Sequence, residues 1–200
     1  MNRNTVLGIV GGSLLLIFLC VACGAVGGVS AYNNLIDRQE VHAQAEGDFD
    51  ATVDTMTPLI QGVLSVMDDT FAAETGLQTE VAALRTLGQD YETAVSEGNP
   101  DEIIAAANGF NLAFNAVAEA TPTTDFGELG IATQRQIEVA FNQMKTALQD
   151  VNETGRRYNT YRRRLIMPVI VGGIGGFPER YEEYQGVNNL PTSFDQFQDR

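Results

Sequence analysis

The sequence is poor in the residue types that form metal, redox and disulfide sites. It has no tryptophan, a single histidine (His42) and two cysteines, Cys20 and Cys23, which both lie inside an uncharged N-terminal stretch. A cysteine that binds a metal or carries redox chemistry needs polar, electropositive surroundings, and a helix in lipid does not provide them. We therefore interpret the two cysteines as small apolar residues of a membrane helix. Because no cysteine follows Ala31, the rest of the chain has no disulfide framework.

Basic residues are also scarce. The chain has 12 lysines and arginines against 26 aspartates and glutamates, which gives a formal net charge of -14. This balance excludes nucleic acid as an expected partner. Between residues 39 and 134 the single basic residue is Arg85. Only six prolines occur among 200 residues, and alanine, glutamate, glutamine and leucine are abundant, so the composition favours helices over sheets. We expect a strongly acidic, all-α protein.

The longest uncharged apolar run covers residues 6–29. An α-helix needs roughly 20 apolar residues to cross the hydrocarbon core of a bilayer, so this run predicts a transmembrane helix. A cleaved signal peptide has a shorter apolar region, of about 7–15 residues. A lipoprotein signal needs a leucine-like residue three positions before the acylated cysteine, and Cys20 holds that position before Cys23. A retained anchor is the leading interpretation, and the two kinds of signal sequence are the alternatives.

Two features of the anchor bear on its partners and its orientation. Small-xxx-small spacing lets membrane helices approach closely, and it occurs at Gly8 and Gly12 and again at Gly24 and Gly28. The anchor could therefore self-associate. Arg3 precedes the span without an accompanying acid, whereas acidic residues are frequent after it. The positive-inside rule then favours a cytoplasmic N-terminus and an extracytoplasmic domain. The sequence thus predicts a single-pass protein of the cell membrane.

Beyond the anchor, apolar residues recur every three to four positions, which is the spacing of one helix face. The membrane helix can run directly into the first of these segments. Pro58 either begins a new helix after Thr57 or kinks one continuous helix. After Pro58 the apolar residues keep helical spacing to Glu97.

The clearest boundary in the chain is the sequence Gly98-Asn99-Pro100. Gly98 can end a helix, Asn99 can cap the next one, and Pro100 fits its first turn. One further helix follows, and after a loop a last long helix completes the pattern. Four amphipathic segments with short connections predict a long antiparallel four-helix bundle. We divide the chain into an anchor, a helical bundle, and an apolar Gly/Pro segment with a C-terminal tail, at residues 1–31, 32–164 and 165–200.

Near its two ends the chain carries motifs that are more specific than its helical pattern. They are a Y-N-x-L start just after the anchor, a later Arg-rich Y-N motif, and a Pro-to-Gly-Phe segment followed by P-x-x-F. Their residues are Tyr32, Asn33, Leu35, Tyr158, Asn159, Pro168, Gly176 and Phe177, with Pro191 and Phe194 in the final motif. In these motifs the chain resembles the LemA family of bacterial and archaeal membrane proteins.

This resemblance implies an N-terminal membrane helix and a long antiparallel four-helix bundle, without a known catalytic activity. The usual suggestion for the family is a membrane scaffold. The chain departs from the family pattern because it has no tryptophan in the first soluble helix. It also lacks the arginine pair expected beside Met56-Thr57-Pro58-Leu59-Ile60. We therefore identify the chain as a divergent member.

The sequence offers little catalytic chemistry. His42 could bind a metal only together with carboxylates such as Glu46, and a packed or solvent-facing histidine is the simpler interpretation. The glycines between Gly172 and Gly176 lack the lysine and the preceding strand of a phosphate-binding loop. We expect a non-enzymatic scaffold without cofactors, whose partners are the lipid bilayer and membrane or envelope proteins. The alternative is an extracytoplasmic helical-bundle sensor that binds a small ligand and signals through a partner.

Five of the 12 basic residues lie within nine positions near the C-terminus, directly before an apolar segment at residues 165–177. That segment is too short, and too rich in glycine, to span a bilayer as an ordinary helix. It could lie at the membrane interface or fold back over the end of the bundle. The cluster either pairs with acids on neighbouring helices or contacts an anionic membrane surface or a partner. Its residues are Arg156, Arg157, Arg162, Arg163 and Arg164.

Overall fold

The chain is all-α. A computed structural model describes five helices, namely α1 (Arg3–Thr70), α2 (Gln78–Glu97), α3 (Pro100–Ala120), α4 (Phe126–Arg164) and α5 (Ile166–Ile174). It describes the backbone of residues 3–70, 78–120, 126–164, 166–186 and 190, and the side chains of residues 11–65, 79–119, 132–164, 166–186 and 190. These residues contain no strand, which confirms the predicted fold class. The predicted P-x-x-F motif, Pro191 to Phe194, lies outside the described residues.

Helix α1 joins the apolar anchor to the first soluble segment without a break. Within the described part of the chain, it is the single helix long and apolar enough to cross a membrane. Pro58 lies inside this helix, so the alternative in which Pro58 begins a new helix is wrong. The helical spacing predicted up to Glu97 is found in α1 up to Thr70 and in α2 from Gln78, and residues 71–77 lie outside the described residues.

Side-chain hydrogen bonds and buried apolar residues lie on both sides of Pro58 in α1. A proline lacks the N–H that bonds to the carbonyl four residues earlier, which here is the carbonyl of Asp54. The neighbouring carbonyl of Val53 accepts hydrogen bonds from the Thr57 hydroxyl at 2.9 Å and from the Tyr91 hydroxyl at 3.3 Å. Met56 and Ile60, on either side of the proline, are fully buried in the apolar core.

The predicted boundary between α2 and α3 is confirmed. Gly98 has a φ of 69°, a left-handed conformation that glycine adopts without a Cβ clash. Its N–H donates to the carbonyl of Ala94 at 3.0 Å. The side-chain oxygen of Asn99 accepts from the backbone N–H of Asp101 at 3.1 Å, which is N-capping of α3. Pro100 begins α3 as expected.

The described contacts divide the chain into two compact units. The first comprises residues 1–42 and 154–181, and the second comprises residues 43–153 and 182–200. In the second unit, four helices contribute to one apolar core, as the predicted bundle requires. The largest fully buried side chains of this core are Tyr91, Phe110, Phe114, Met56, Ile60, Leu84, Ile104, Ile137 and Met144.

Burial of Tyr91 makes the second unit less stable at alkaline pH. Burial raises the pKa of Tyr91 from 10.0 to about 12, against the opposing effect of its hydrogen bond with Thr57. The unfolded chain then loses the phenolic proton at a lower pH than the folded chain does. We expect the free energy of unfolding to fall by up to about 1.4 kcal/mol per pH unit between pH 10 and 12. Urea unfolding followed by helical circular dichroism should show this fall, and Tyr91→Phe should reduce it.

Candidate functional site

In the first unit, α1 and the end of α4 pack against each other in antiparallel register. Leu35 and Tyr158 are both fully buried. The guanidinium of Arg38 lies over the Tyr161 ring, 4.7 Å from its centroid, and donates to the carbonyl of Arg157 at 3.4 Å. Two residues that carry the family resemblance, Leu35 and Tyr158, are therefore packing residues of the junction between these two helices.

His42 is a packed residue of the same unit. Its side chain is buried, and its Nδ1 lies 2.9 Å from the Thr154 hydroxyl. Its ring centroid lies 3.8 Å from that of Tyr181. Gly155 permits this close approach, since a Cβ there would lie 3.3 Å from both side chains. Among the described residues, no group of three or more His, Cys, Asp or Glu side chains could hold a metal ion.

Asn159 and Tyr158 hold the segment that follows α5. The Asn159 amide donates to the carbonyl of Tyr181 at 2.8 Å, and its side-chain oxygen accepts from the Tyr181 N–H at 2.9 Å. The Tyr158 hydroxyl donates to the carbonyl of Pro178 at 2.7 Å. Burial raises the pKa of Tyr158, and the charge of Arg162 opposes the shift. The phenol therefore stays protonated and remains a donor at neutral pH.

The Pro-to-Gly-Phe segment folds back toward α1. Gly176, with a φ of 68°, follows the end of α5, and the N–H of Phe177 donates to the carbonyl of Gly172 at 3.2 Å. The left-handed glycine reverses the backbone direction as a helix C-terminal cap does. The Phe177 ring then meets the Tyr32 ring edge to face, with centroids 5.4 Å apart. These contacts bring the motif after the anchor and the Pro-to-Gly-Phe segment together. Asn33, which belongs to the first of these motifs, is exposed.

The five arginines of the C-terminal cluster do not share one environment. Arg162 is only 9% exposed, and its guanidinium donates to the carbonyl of Pro168 at 3.3 Å. The guanidinium also packs against Gly172, where a Cβ would overlap it. Arg156 and Arg157 are exposed and interact with other protein groups. Exposed Arg163 and Arg164 stand in the last turn of α4.

Gly172 and Gly173 provide a matched pair for testing the buried arginine. Alanine at either position gains up to about 1 kcal/mol of helix propensity over glycine. A Cβ at Gly173 meets nothing within 4 Å, whereas a Cβ at Gly172 must displace the Arg162 guanidinium. Gly172→Ala should therefore break the hydrogen bond from the buried Arg162 guanidinium to Pro168 and destabilise α5 by about 1–3 kcal/mol relative to Gly173→Ala. Hydrogen exchange of residues 166–176 in the full chain measures the difference, and equal exchange in both variants would contradict the packing of Arg162.

Helix α5 packs against α1 and leaves most of its own apolar surface uncovered. An ideal Cβ at Gly27 would lie 3.8 Å from Cγ of Met167, and one at Gly24 would lie 4.0 Å from Cε of the same side chain. Pro168 and Gly172 are the buried residues of α5. Ile166 and Ile174 are 77% and 85% exposed. An open groove of about 710 Å³ runs between the helices, lined by Gly27, Ser30, Ala31, Tyr161, Arg164, Ile166, Met167 and Pro168.

A second asparagine, Asn152, forms a corresponding clamp in the second unit. Its amide donates to the carbonyl of Tyr184 at 2.8 Å, and its side-chain oxygen accepts from the Tyr184 N–H at 2.8 Å. The N–H of Gly186 donates to the Asp101 carboxylate at 2.6 Å. Burial, together with the negative charges of Glu46 and Asp101, raises the pKa of Tyr184.

Sequence reasoning selected Asn159 but not Asn152, although both asparagines bind the backbone in the same way. The only signal of this shared role is their separation of seven residues on α4, which places them on one helix face. Met167, which lies beside the anchor, was missed as a site residue. No family model, curated protein or solved structure matches the chain.

Proposed function

We propose that this protein is a membrane-anchored helical scaffold of the LemA type, without catalytic activity. The apolar part of α1 is its anchor in the cell membrane, and the acidic bundle presents a surface to membrane or envelope proteins. One observation carries the proposal. The residues that resemble the family are used to join helices and to hold the returning C-terminal segment, as Leu35, Tyr158, Asn159 and Phe177 illustrate.

The charge of the exposed surface supports a partner-binding role. Asp48, Asp50 and Asp54 are exposed on α1, and Asp90 and Glu92 are exposed on α2. Like charges held on one folded surface repel each other, and a partner with basic residues relieves this repulsion. The expected partner is therefore a membrane or envelope protein with a basic face. Its association rate should fall as ionic strength rises.

Site-specific photo-crosslinking in intact membranes tests the scaffold proposal. A photoreactive residue at exposed Asp50 or Asp90 should capture the same partner protein, and the yield should fall in high salt. The matched control is buried Phe114, where the same residue should give only background adducts. Absence of a shared, salt-sensitive adduct at the two acidic positions would contradict the proposal.

We assign the bundle to the extracytoplasmic side from the positive-inside rule. Cysteine introduced at Asp50, in a chain whose Cys20 and Cys23 are replaced by serine, should react with a membrane-impermeant maleimide on intact cells. Labelling only after the cells are permeabilised would show that the bundle lies on the cytoplasmic side. Self-association is proposed through Gly8 and Gly12, and open space surrounds the position of a Cβ at Gly12.

A ligand-binding sensor is the second candidate, and two side chains of α3 favour it. The side-chain oxygens of Asn111 and Asn115 are buried without a hydrogen-bond partner among the described residues. Buried carbonyl oxygens normally have partners, and a small ligand with N–H or O–H groups could supply them. Native mass spectrometry of the purified chain should then detect a small molecule that Asn111→Leu releases. In a scaffold, Asn111→Leu is instead neutral or stabilising, because an unsatisfied polar group is removed.

A further inference from the structure

We propose that α5 is a second membrane-inserted element, which enters one leaflet beside α1 and binds anionic lipid through Arg163 and Arg164. The inference rests on the proposed function, since it requires that α1 spans the bilayer. It extends that function by assigning lipid as the occupant of an apolar surface that the protein itself leaves open.

The level of α5 along the anchor is the first argument. The Met167 side chain lies beside Gly24 and Gly27 of α1, 4.0 and 3.8 Å from the positions that a Cβ would take there, and both glycines lie inside the uncharged run of residues 6–29. At a rise of about 1.5 Å per residue, Gly27 is about 15 Å along α1 from Asp37, the first charged residue after the run. If α1 spans the membrane, Met167 therefore lies at the level of hydrocarbon rather than of water.

The composition of α5 agrees with that depth. No charged residue occurs between Arg164 and Glu179. The side chains of Ile166, Val169, Ile170 and Ile174 are all exposed, and they occupy just over two turns of one short helix. A soluble protein rarely leaves so many large apolar side chains together in water. Lipid covers them without a further protein.

The length and connections of α5 restrict it to one leaflet. Nine residues extend about 14 Å as a helix, whereas a bilayer core is about 30 Å thick. The chain then returns, because Gly172 packs against Arg162 of α4 and Phe177 meets Tyr32 of α1. The helix therefore dips into the membrane and leaves on the side from which it entered. Its glycine and proline backbone is tolerated there because α1 and α4 pack against it.

Basic and aromatic residues stand where the headgroups of that leaflet would lie. Arg164 lines the groove together with Ser30 and Ala31, at the end of the apolar run. Tyr161 lines the same groove, and tyrosine is enriched at membrane interfaces. The groove has apolar walls for an acyl chain and an exposed guanidinium at its edge for a phosphate. Arg162 takes no part in lipid binding, because α5 itself buries its guanidinium.

The absence of tryptophan from the sequence permits a direct test of depth in the full chain. Single tryptophans are introduced as Ile170→Trp on α5, Leu16→Trp on α1 and Val139→Trp on α4, all at exposed positions. Each variant is reconstituted in vesicles whose lipids carry bromine at a shallow or a deep acyl position. We expect shallow bromine to quench the fluorescence of Ile170→Trp, deep bromine to quench that of Leu16→Trp, and neither to quench that of Val139→Trp.

The three variants separate failure of the inference from failure of the anchor. Quenching in Leu16→Trp without quenching in Ile170→Trp would overturn the insertion of α5 while leaving the anchor intact. If Leu16→Trp is not quenched either, the membrane-spanning anchor itself is refuted. Helical circular dichroism of each variant establishes that the chain is folded in the vesicles.

The charge of the bound lipid is tested with the two arginines. Each arginine near an anionic surface contributes about 1 kcal/mol, or about fivefold in affinity. Arg163→Gln with Arg164→Gln should therefore weaken the binding of phosphatidylglycerol to the full chain about 25-fold. The matched control is Arg135→Gln, which removes an arginine from the part of α4 in the other unit and should leave binding unchanged. Equal phosphatidylglycerol affinity in the double variant and the wild type would overturn the lipid assignment.

Discussion

Tyr158→Ala should open the packing of the first unit around the returning C-terminal segment. The side chain is fully buried, its ring meets that of Tyr181 edge to face at 4.8 Å, and its hydroxyl holds Pro178. Truncation of a buried aromatic residue to alanine costs about 3–5 kcal/mol through lost burial and an unfilled cavity. Hydrogen exchange of residues 177–181 in the detergent-solubilised full chain should accelerate by at least about 100-fold.

Tyr158→Phe separates the hydrogen bond from the packing. It keeps the buried ring but leaves the carbonyl of Pro178 without the phenolic donor, which costs about 1 kcal/mol. Exchange in the same segment should then rise by about fivefold. If the alanine variant exchanges no faster than the phenylalanine variant, the cavity is filled by neighbouring side chains and the ring does not hold the segment.

The sequence predicts local structure well where several signals coincide at one place. At the α2–α3 connection, a left-handed glycine, a capping asparagine and a first-turn proline all indicate the same boundary, and the boundary is found there. Pro58 is a single signal without the others, and α1 continues through it with Met56 and Ile60 buried in the core on either side. Whether a lone proline ends a helix depends on tertiary packing, which composition does not reveal.

The candidate site was only partly predictable for the same reason. A run of arginines before an apolar segment indicates a basic surface, yet Arg162 is buried, because Gly172 of the returning helix leaves room for its guanidinium. The family resemblance selected Asn159 without indicating what its side chain binds. Asn152 stands in no motif, although its hydrogen bonds with Tyr184 match those of Asn159 with Tyr181.

The two asparagine clamps should each protect one backbone amide of the C-terminal segment. Asn159 accepts from the N–H of Tyr181 and donates to its carbonyl, and Asn152 does the same with Tyr184. Each alanine variant loses two hydrogen bonds, at about 0.5–1.5 kcal/mol each. Asn159→Ala should accelerate exchange of the Tyr181 amide about 5- to 150-fold, and Asn152→Ala should do so for the Tyr184 amide.

Exposed Asn142 on the same helix is the matched control, and Asn142→Ala should leave both amides unchanged. Because the two clamps bind different residues, their effects should add in the double variant. The sum is about 2–6 kcal/mol, enough to release the segment from α4 while leaving the apolar core of the second unit in place. Asn159→Asp and Asn152→Asp are the comparison, because each adds a charge at the same position. If exchange accelerates in an aspartate variant but not in the matching alanine variant, the added charge is the cause rather than the lost hydrogen bonds. In that case the clamps do not hold this segment.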